Sequence, residues 1–336
     1  MNAKRILTWT AVTLLLLGGA TFGVWRIFLS DTYDGPVTRV YVPAGATEDA
    51  VADSLQSSLG GFGRTVARLW RLQSGDASVA HGSYAVDSGM TALQVSRAIS
   101  RGRQTPLRVT FNNIRTFGDL ASRLSLRLEA DSAAFMAAAD SVLRPAGFDT
   151  AGYAAAVLPD TYEYYWTASP ETVLSGLLAE RNSFWDSTRI AKAEALGLSP
   201  VGVATIASIV EEETAKADER PVVARLYLNR LARNMPLQAD PTVKFALGDF
   251  GLRRITIAHL GIDSPYNTYR VNGLPPGPIR IVERSSIDAV LDAPGHDYIY
   301  MCARPDFSGY HVFETNYNRH TINAARYRRA LDARGI

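Results

Sequence analysis

Residues Ser199–Thr214 read SPVGVATIASIVEEET. Ser199 followed by Pro200 is a helix start. A serine hydroxyl can accept a free N–H of the first turn, and proline fits the first helical position because its missing N–H has no intrahelical partner there. The run Val201–Val210 is apolar or small all round, which predicts a helix buried on every face. Three carboxylates follow directly. At about 100° per residue they cannot share one environment. Glu211 continues the stripe of Ala204, Ala207 and Ser208, Glu213 continues that of Ile206, Ile209 and Val210, and Glu212 falls between them, below Thr205 and Ser208. The small residues beneath Glu211 leave room for a bulky ligand. A carboxyl at the end of a buried helix, beside like charges, is pushed toward its protonated form, the form a general acid needs. The plainer alternative is a helix that simply emerges into water at EEE.

The segments downstream carry a second pattern. Asp218–Arg233 is amphipathic, with Val222, Val223, Leu226 and Leu231 on one side. Gln238-Ala-Asp240-Pro-Thr242-Val243 reads as a turn rich in side-chain donors and acceptors. Tyr266-Asn267-Thr268-Tyr269 pairs aromatics with an amide and a hydroxyl. Gly273-Leu-Pro-Pro276-Gly-Pro-Ile279 is a stiff loop, since each proline fixes φ. His311-Val-Phe313 and Thr315-Asn316 close the region. Aromatics beside Asn, Gln, Thr and Asp suit sugars, which offer apolar ring faces and many hydroxyls.

Upstream, the organisation changes. Ile6–Trp25 carries no formal charge, follows Lys4-Arg5 and stops at Arg26. Roughly 20 apolar residues span the hydrocarbon layer as a helix, and the basic pair favours a cytoplasmic N-terminus. The expectation is a single-pass membrane anchor over 6–26, with a stub at 1–5 and a linker at 27–36; a cleaved signal peptide is the alternative. Thr47-x3-Val51-Ala52-x2-Leu55, Thr91-x3-Val95-Ser96-x2-Ile99 and Thr116-x3-Leu120-Ala121-x2-Leu124 form a short internal repeat. Each copy follows a strand-like run, at Val37–Val42, Ser83–Val86 and Leu107–Phe111, so the unit is strand, turn and capped helix. Gly60-Gly61 should end the first helix. Ala130–Ala139 reads as helix, Val157–Tyr165 as strand or loop, and Pro170–Ala195 as helix. Together these elements predict an α+β fold in two parts.

Composition bounds the rest. The chain has 336 residues, of which 47% are hydrophobic and 20% charged, which excludes wholesale disorder. The net charge of +2 argues against binding nucleic acid through bulk charge. One cysteine, Cys302, excludes an internal disulfide framework and a zinc site of paired thiolates. There is no GxSxG elbow and no Walker A motif. His311, Glu314 and His320 have no diagnostic metal spacing.

Ala207–Thr214, Leu237–Val243, Tyr266–Tyr269, Gly273–Ile279 and His311–Phe313, taken in that order and joined by Leu158-Pro-Asp-Thr-Tyr162 upstream, resemble the endolytic murein transglycosylases of the YceG-like type. Tyr84–Thr91 resembles the opening of a LysM-type module, although Asn112-Asn113 stands where that family often has a Glu-Gly turn. The resemblance implies a LysM-like peptidoglycan-binding subdomain at 37–125, a helical connector at 126–149 and a YceG-like α+β catalytic domain at 150–336. It implies a lyase of the inner membrane that cuts the MurNAc–GlcNAc β-1,4 bond of nascent strands and leaves 1,6-anhydro-MurNAc ends, with no cofactor or metal. The family's catalytic glutamate falls on Glu211. Glu213, Gln238, Asp240, Thr242, Tyr266, Asn267, Thr268, Tyr269, Pro276, His311, Phe313 and Asn316 would bind glycan or support the site. The partners implied are glycan strands, the membrane through Ile6–Trp25 and membrane peptidoglycan synthases. Two other readings remain: a non-catalytic anchored scaffold, and a water-using muramidase with Asp240 as second carboxylate.

Overall fold

A computed structural model of the chain describes residues 3–24, 31–73, 75–252 and 254–335. In chain order the elements are α1 (Ala3–Val24), β1 (Thr38–Val42), α2 (Glu48–Gln73), α3 (Ala77–Ala80), β2 (Gly82–Val86), α4 (Ala92–Ser100), β3 (Leu107–Phe111), α5 (Phe117–Ser125), α6 (Ser132–Val142), β4 (Asp160–Tyr164), α7 (Pro170–Phe184), α8 (Ser187–Ala195), α9 (Pro200–Glu213), α10 (Arg220–Ala232), α11 (Asp240–Leu247), α12 (Arg284–Leu291), β5 (Tyr300–Ala303), β6 (His311–Glu314) and α13 (Tyr317–Asp332). Helices and short strands mix as an α+β chain should. Two compact units form, and their boundaries differ from the expected 125 and 150. The first takes Met1–Val109, Arg127–Ala130 and Glu163–Ala168; the second takes Thr110–Leu126, Asp131–Tyr162 and Ser169–Ile336.

In the first unit β1 and β2 pair antiparallel, from Thr38 opposite Val86 to Val42 opposite Gly82. Val40, Val42, Tyr84 and Val86 are buried with Val51, Leu55, Val66 and Trp70 of α2 and Val95 and Ile99 of α4. The expected break at Gly60 is present, at φ 60° and ψ −132°, inside α2. It lets the second half of the helix return onto the first. There Gly63 approaches the Leu55 carbonyl so closely that an added Cβ would collide with it. All three repeat threonines cap helices. Thr47 Oγ1 accepts Ala50 N–H at 3.2 Å, while Thr91 with Gln94 and Thr116 with Asp119 form reciprocal capping boxes.

The segment expected as linker is described from Asp31 onward. Thr32 bridges Thr91, Tyr33 is 8% exposed, and Tyr33 N–H donates to the Met90 carbonyl at 2.9 Å. Tyr33 is too apolar to leave in water when the β2–α4 turn offers its backbone. As for the expected anchor, Trp9, Leu14, Leu15, Leu16, Leu17 and Phe22 of α1 are exposed. Among the described residues no single helix is long and apolar enough to cross a membrane, the apolar part of α1 being Trp9–Gly23. Trp25, Arg26 and the remainder of 25–30 lie outside the described residues.

The second unit is mostly helical and built around α9. Gly202 through Val210 are all buried, with α10, α12, α8 and α11 packed about them. Among the described residues the later segments contribute the antiparallel pair β5–β6, with Tyr300 opposite Glu314 and Ala303 opposite His311. Prolines cannot donate to a ladder, and Gly273–Ile279 runs as loop against the α9 face. The expected turn at Gln238–Val243 becomes the first turn of α11, with Pro241 at its start. Pro170–Ala195 divides into α7 and α8, the latter capped by Asp186.

Gly63→Ala should lower the stability of the first unit by about 1–3 kcal/mol, since a methyl group there must displace the Leu55 backbone. Urea unfolding of the two proteins measures this.

Candidate active site

The three carboxylates at the end of α9 enter three surroundings. Glu211 is 4% exposed at its side chain, lies 3.1 Å from Arg280 and accepts the Glu283 N–H at 3.0 Å. Glu212 pairs with Arg280 at 2.5 Å and with Arg115 at 2.9 Å. Arg280 is 8% exposed and also donates to Asn113 Oδ1 at 3.0 Å. The small residues beneath Glu211 therefore leave room for chain. Ser208 Oγ accepts the Ile279 N–H at 2.9 Å, which lays the Ile279–Glu283 segment over that face.

Glu213 stands apart, on a cavity of about 550 Å³. Its carboxyl end is enclosed by protein and accepts the Tyr227 hydroxyl at 2.7 Å. Burial pushes its pKa up to about 7, and the nearby Asp240 adds to the rise while the Tyr227 hydrogen bond opposes it. Glu213 is also the last residue of α9, where the negative end of the helix dipole disfavours a carboxylate. Such a group exchanges a proton near neutrality and can serve as acid and as base.

Of the residues expected to support the site, Gln238, Asp240, Tyr269 and His311 share this cavity with Glu213. Asp240 accepts the Tyr269 hydroxyl at 2.6 Å, and burial followed by this bond raises the Tyr269 pKa. Gln238 sits at φ 54° and accepts from Arg230. His311 Nδ1 lies 2.8 Å from Glu219, whose other oxygen accepts the His311 backbone N–H at 2.7 Å. The other expected residues do not line it. Thr242 and Thr268 are fully buried and bond each other at 2.8 Å. Asn267, also buried, donates to the carbonyls of Leu260 and Ile262. Tyr266 packs on Phe245 with centroids 4.7 Å apart. Pro276 is exposed in its loop, Phe313 packs beside Tyr298, and Asn316 caps α13. Asn267, Thr268 and Thr242 spend their polar groups on holding the loops.

The sequence reading missed Tyr227, Arg230, Glu219 and Tyr300. Tyr227 and Arg230 lie on the inward face of α10, where helical spacing alone suggests core. Among the described residues no group of three His, Cys, Asp or Glu side chains is arranged to hold a metal. His311 is taken by Glu219, and Glu314 accepts from Asn323 at 3.0 Å.

The fold and site define an α+β protein whose buried central helix delivers one enclosed acid to an aromatic-lined cleft. The chain belongs to the YceG-like family, whose model matches residues 40–326. It is similar to the endolytic murein transglycosylase of Bacillus subtilis (strain 168), 34% identical over 172 residues, which cover 51% of this chain and 47% of that protein. It is also similar to the endolytic murein transglycosylase of Streptococcus pneumoniae (strain ATCC BAA-255 / R6), 32% identical over 179 residues, covering 51% and 31% respectively. This chain thus spans less than half the length of the curated relatives it matches. A 2.6 Å crystal structure of a YceG-like protein from Listeria monocytogenes superposes with a TM-score of 0.57 at 25% identity, over 84% of this chain and 97% of that one.

Two outcomes follow. Arg280→Met removes the cation of Glu211 and leaves Glu212 with Arg115 alone, and should cost about 3–5 kcal/mol in chemical unfolding. Glu213→Gln should act in the opposite direction at neutral pH. The native carboxyl has a folded pKa of about 7, above its ordinary 4.5, so its contribution to stability is complete below 4.5 and declines as the pH rises through 7. The variant lacks that decline, so Tm curves of the two proteins should diverge above pH 4.5, the variant being the more stable.

Proposed function

We propose that the chain is a membrane-anchored endolytic lytic transglycosylase that cuts the MurNAc–GlcNAc β-1,4 bond of peptidoglycan. The observation that carries this reading is Glu213: a carboxyl with a pKa of about 7, on a cavity of about 550 Å³, in a chain of the YceG-like family. The catalytic role expected of Glu211 passes to Glu213, because Glu211 is committed to Arg280 and to the Glu283 backbone.

In its protonated form Glu213 donates to the glycosidic oxygen as the bond from C1 breaks, so the leaving sugar departs as an alcohol. The carboxylate then takes the proton of the MurNAc C6 hydroxyl, whose oxygen bonds to C1 and closes the 1,6-anhydro ring. The proton ends on Glu213, and one group serves both steps. Tyr227 holds the carboxyl in place and Tyr269 holds Asp240. Asp240, as a second carboxylate on the same cavity, supports one other reading. In a muramidase it would activate water and leave reducing ends.

The exposed apolar face of α1 supports anchoring, and the β1–β2 ribbon backed by α2 and α4 supports a LysM-like glycan-binding role for the first unit. In that arrangement the catalytic unit works outside the inner membrane, beside the membrane synthases that supply nascent strands.

Mass spectrometry of glycan ends tests the reaction. The full chain should produce anhydro ends from uncrosslinked strands, and Glu213→Gln should lower the rate by about 100-fold or more. Reducing ends would establish the muramidase, and full activity in Glu213→Gln would remove the assignment. Tyr227→Phe removes the bond that restrains the Glu213 pKa, so the midpoint of the basic limb of the pH–rate profile should move upward.

A further inference from the structure

The cavity contains a cation that the proposed reaction does not use. Arg230 projects from α10 and is 6% exposed. Its Nε donates to the Pro236 carbonyl at 2.8 Å, one terminal nitrogen donates to the Ile299 carbonyl at 2.8 Å, and the other donates to Gln238 Oε1 at 2.5 Å. A guanidinium has five N–H donors, so part of the fork is unspent. Among the described residues no carboxylate lies within 4.0 Å of it; the acidic groups that act on it are the hydroxyls of Tyr227, Tyr300 and Tyr269. Carbonyl dipoles orient a buried cation without neutralising it, and such a cation is costly until an anion arrives.

A second group points the same way. The His320 ring, on α13, stacks on Tyr300 with centroids 5.2 Å apart, and the Arg230 guanidinium lies 5.8 Å from the same Tyr300 ring. His320 Nδ1 is buried and has no hydrogen-bond partner among the described residues. Burial and the charge of Arg230 hold this imidazole toward its neutral form, Glu314 on β6 acts against them, and Tyr317 on the same helix packs at its edge. A guanidinium with unspent donors and a ring with an unpartnered nitrogen thus both border Tyr300 in the lining of one cavity.

We infer that Arg230 and His320 form a carboxylate-binding subsite that seats the acid-bearing muramyl unit of the glycan and rejects its neutral neighbour. The inference rests on the reading of this cavity as the glycan cleft. The two sugars of the strand differ in charge. N-acetylglucosamine has no ionisable group, whereas N-acetylmuramic acid bears a lactyl carboxyl, either free or amidated to a peptide that carries carboxylates of its own. A planar guanidinium matches a carboxylate through two parallel N–H donors. An anion placed there also offsets the repulsion between Arg230 and a protonated His320, so binding is coupled to proton uptake on that ring.

Binding is read on the full chain carrying Glu213→Gln, which leaves the ligands intact. Three probes are used: N-acetylglucosamine, N-acetylmuramic acid, and N-acetylmuramyl-L-alanyl-D-isoglutamine, whose lactyl group is amidated and whose peptide holds the carboxylate. At least one acid should bind about tenfold or more tightly than the neutral sugar, the advantage of a charged hydrogen bond. Preference for the first acid names the lactyl carboxylate as the group bound, and preference for the second names the peptide. The preference should vanish in Arg230→Gln, and the His320 titration midpoint, followed by NMR, should rise when the acid is bound. Because Arg230 also holds two backbone carbonyls, the NMR titration with the arginine in place serves as the test if that variant does not fold. Equal binding of all three probes, no binding of either acid, a preference that survives Arg230→Gln, or an unmoved His320 overturns the inference. Acid preference without strand cleavage would instead remove the catalytic reading and leave the subsite standing.

Discussion

A helix buried on every face can present charge only at its ends. That constraint organises the second unit. From Gly202 to Val210 α9 has no polar side chain beyond Thr205 and Ser208, and both are satisfied within the protein. The carboxylates gather at its C-terminus, where the helix dipole already disfavours them. Arg280 resolves the difficulty for two of the three by bridging Glu211 and Glu212, with Arg115 as a second cation on Glu212. Glu213 receives a tyrosine hydroxyl instead of a cation. A phenol can hold a carboxylate by hydrogen bonding but supplies no positive charge, and burial is left to set the protonation state.

The surrounding loops are rigid because their polar side chains are turned inward. Asn267 clasps the carbonyls of Leu260 and Ile262 and accepts the Tyr269 N–H at 3.1 Å. Thr268 accepts the Ala239 N–H at 3.0 Å and bonds Thr242. The result is that Asp240 and Tyr269, on two separate segments, meet at 2.6 Å. Loops assembled this way keep Asp240 and Tyr269 in register without relying on loop entropy.

Much of the architecture was legible because local signals agreed with tertiary ones. Ser199-Pro200, the uniformly apolar run, the three capping threonines and the break at Gly60 each act within a few residues. The choice among Glu211, Glu212 and Glu213 was not local. Helical phase separated them correctly, but the meaning of each phase depended on Arg280, nearly seventy residues along the chain, and on Tyr227 in the next helix. Small residues below a carboxylate announce that something comes close; they do not say whether it is a ligand or, as at Ser208 and Ile279, the chain itself. The same limit applies to Thr242, Asn267 and Thr268, whose side chains could serve a sugar or a backbone equally well until the partners are known.

The cavity also has to keep its charges apart. A cation close to Glu213 would favour the carboxylate and draw its pKa down, which would remove the proton the proposed reaction requires. Arg230 lines the same cavity, yet no ion pair joins the two among the described residues. Lys244 acts on Glu213 in that downward direction, but burial outweighs it. Tyr227 and Tyr269 each feel both the acid and the guanidinium. Both phenols are held well above their ordinary pKa, chiefly by burial, so they remain neutral donors across the working range. They therefore act as an uncharged partition. On one side stand Glu213 and Asp240; on the other stand Arg230 and His320, where a fixed positive charge is an advantage. A single cleft can hold both because Tyr227 and Tyr269 donate hydrogen bonds to Glu213 and Asp240 without carrying charge.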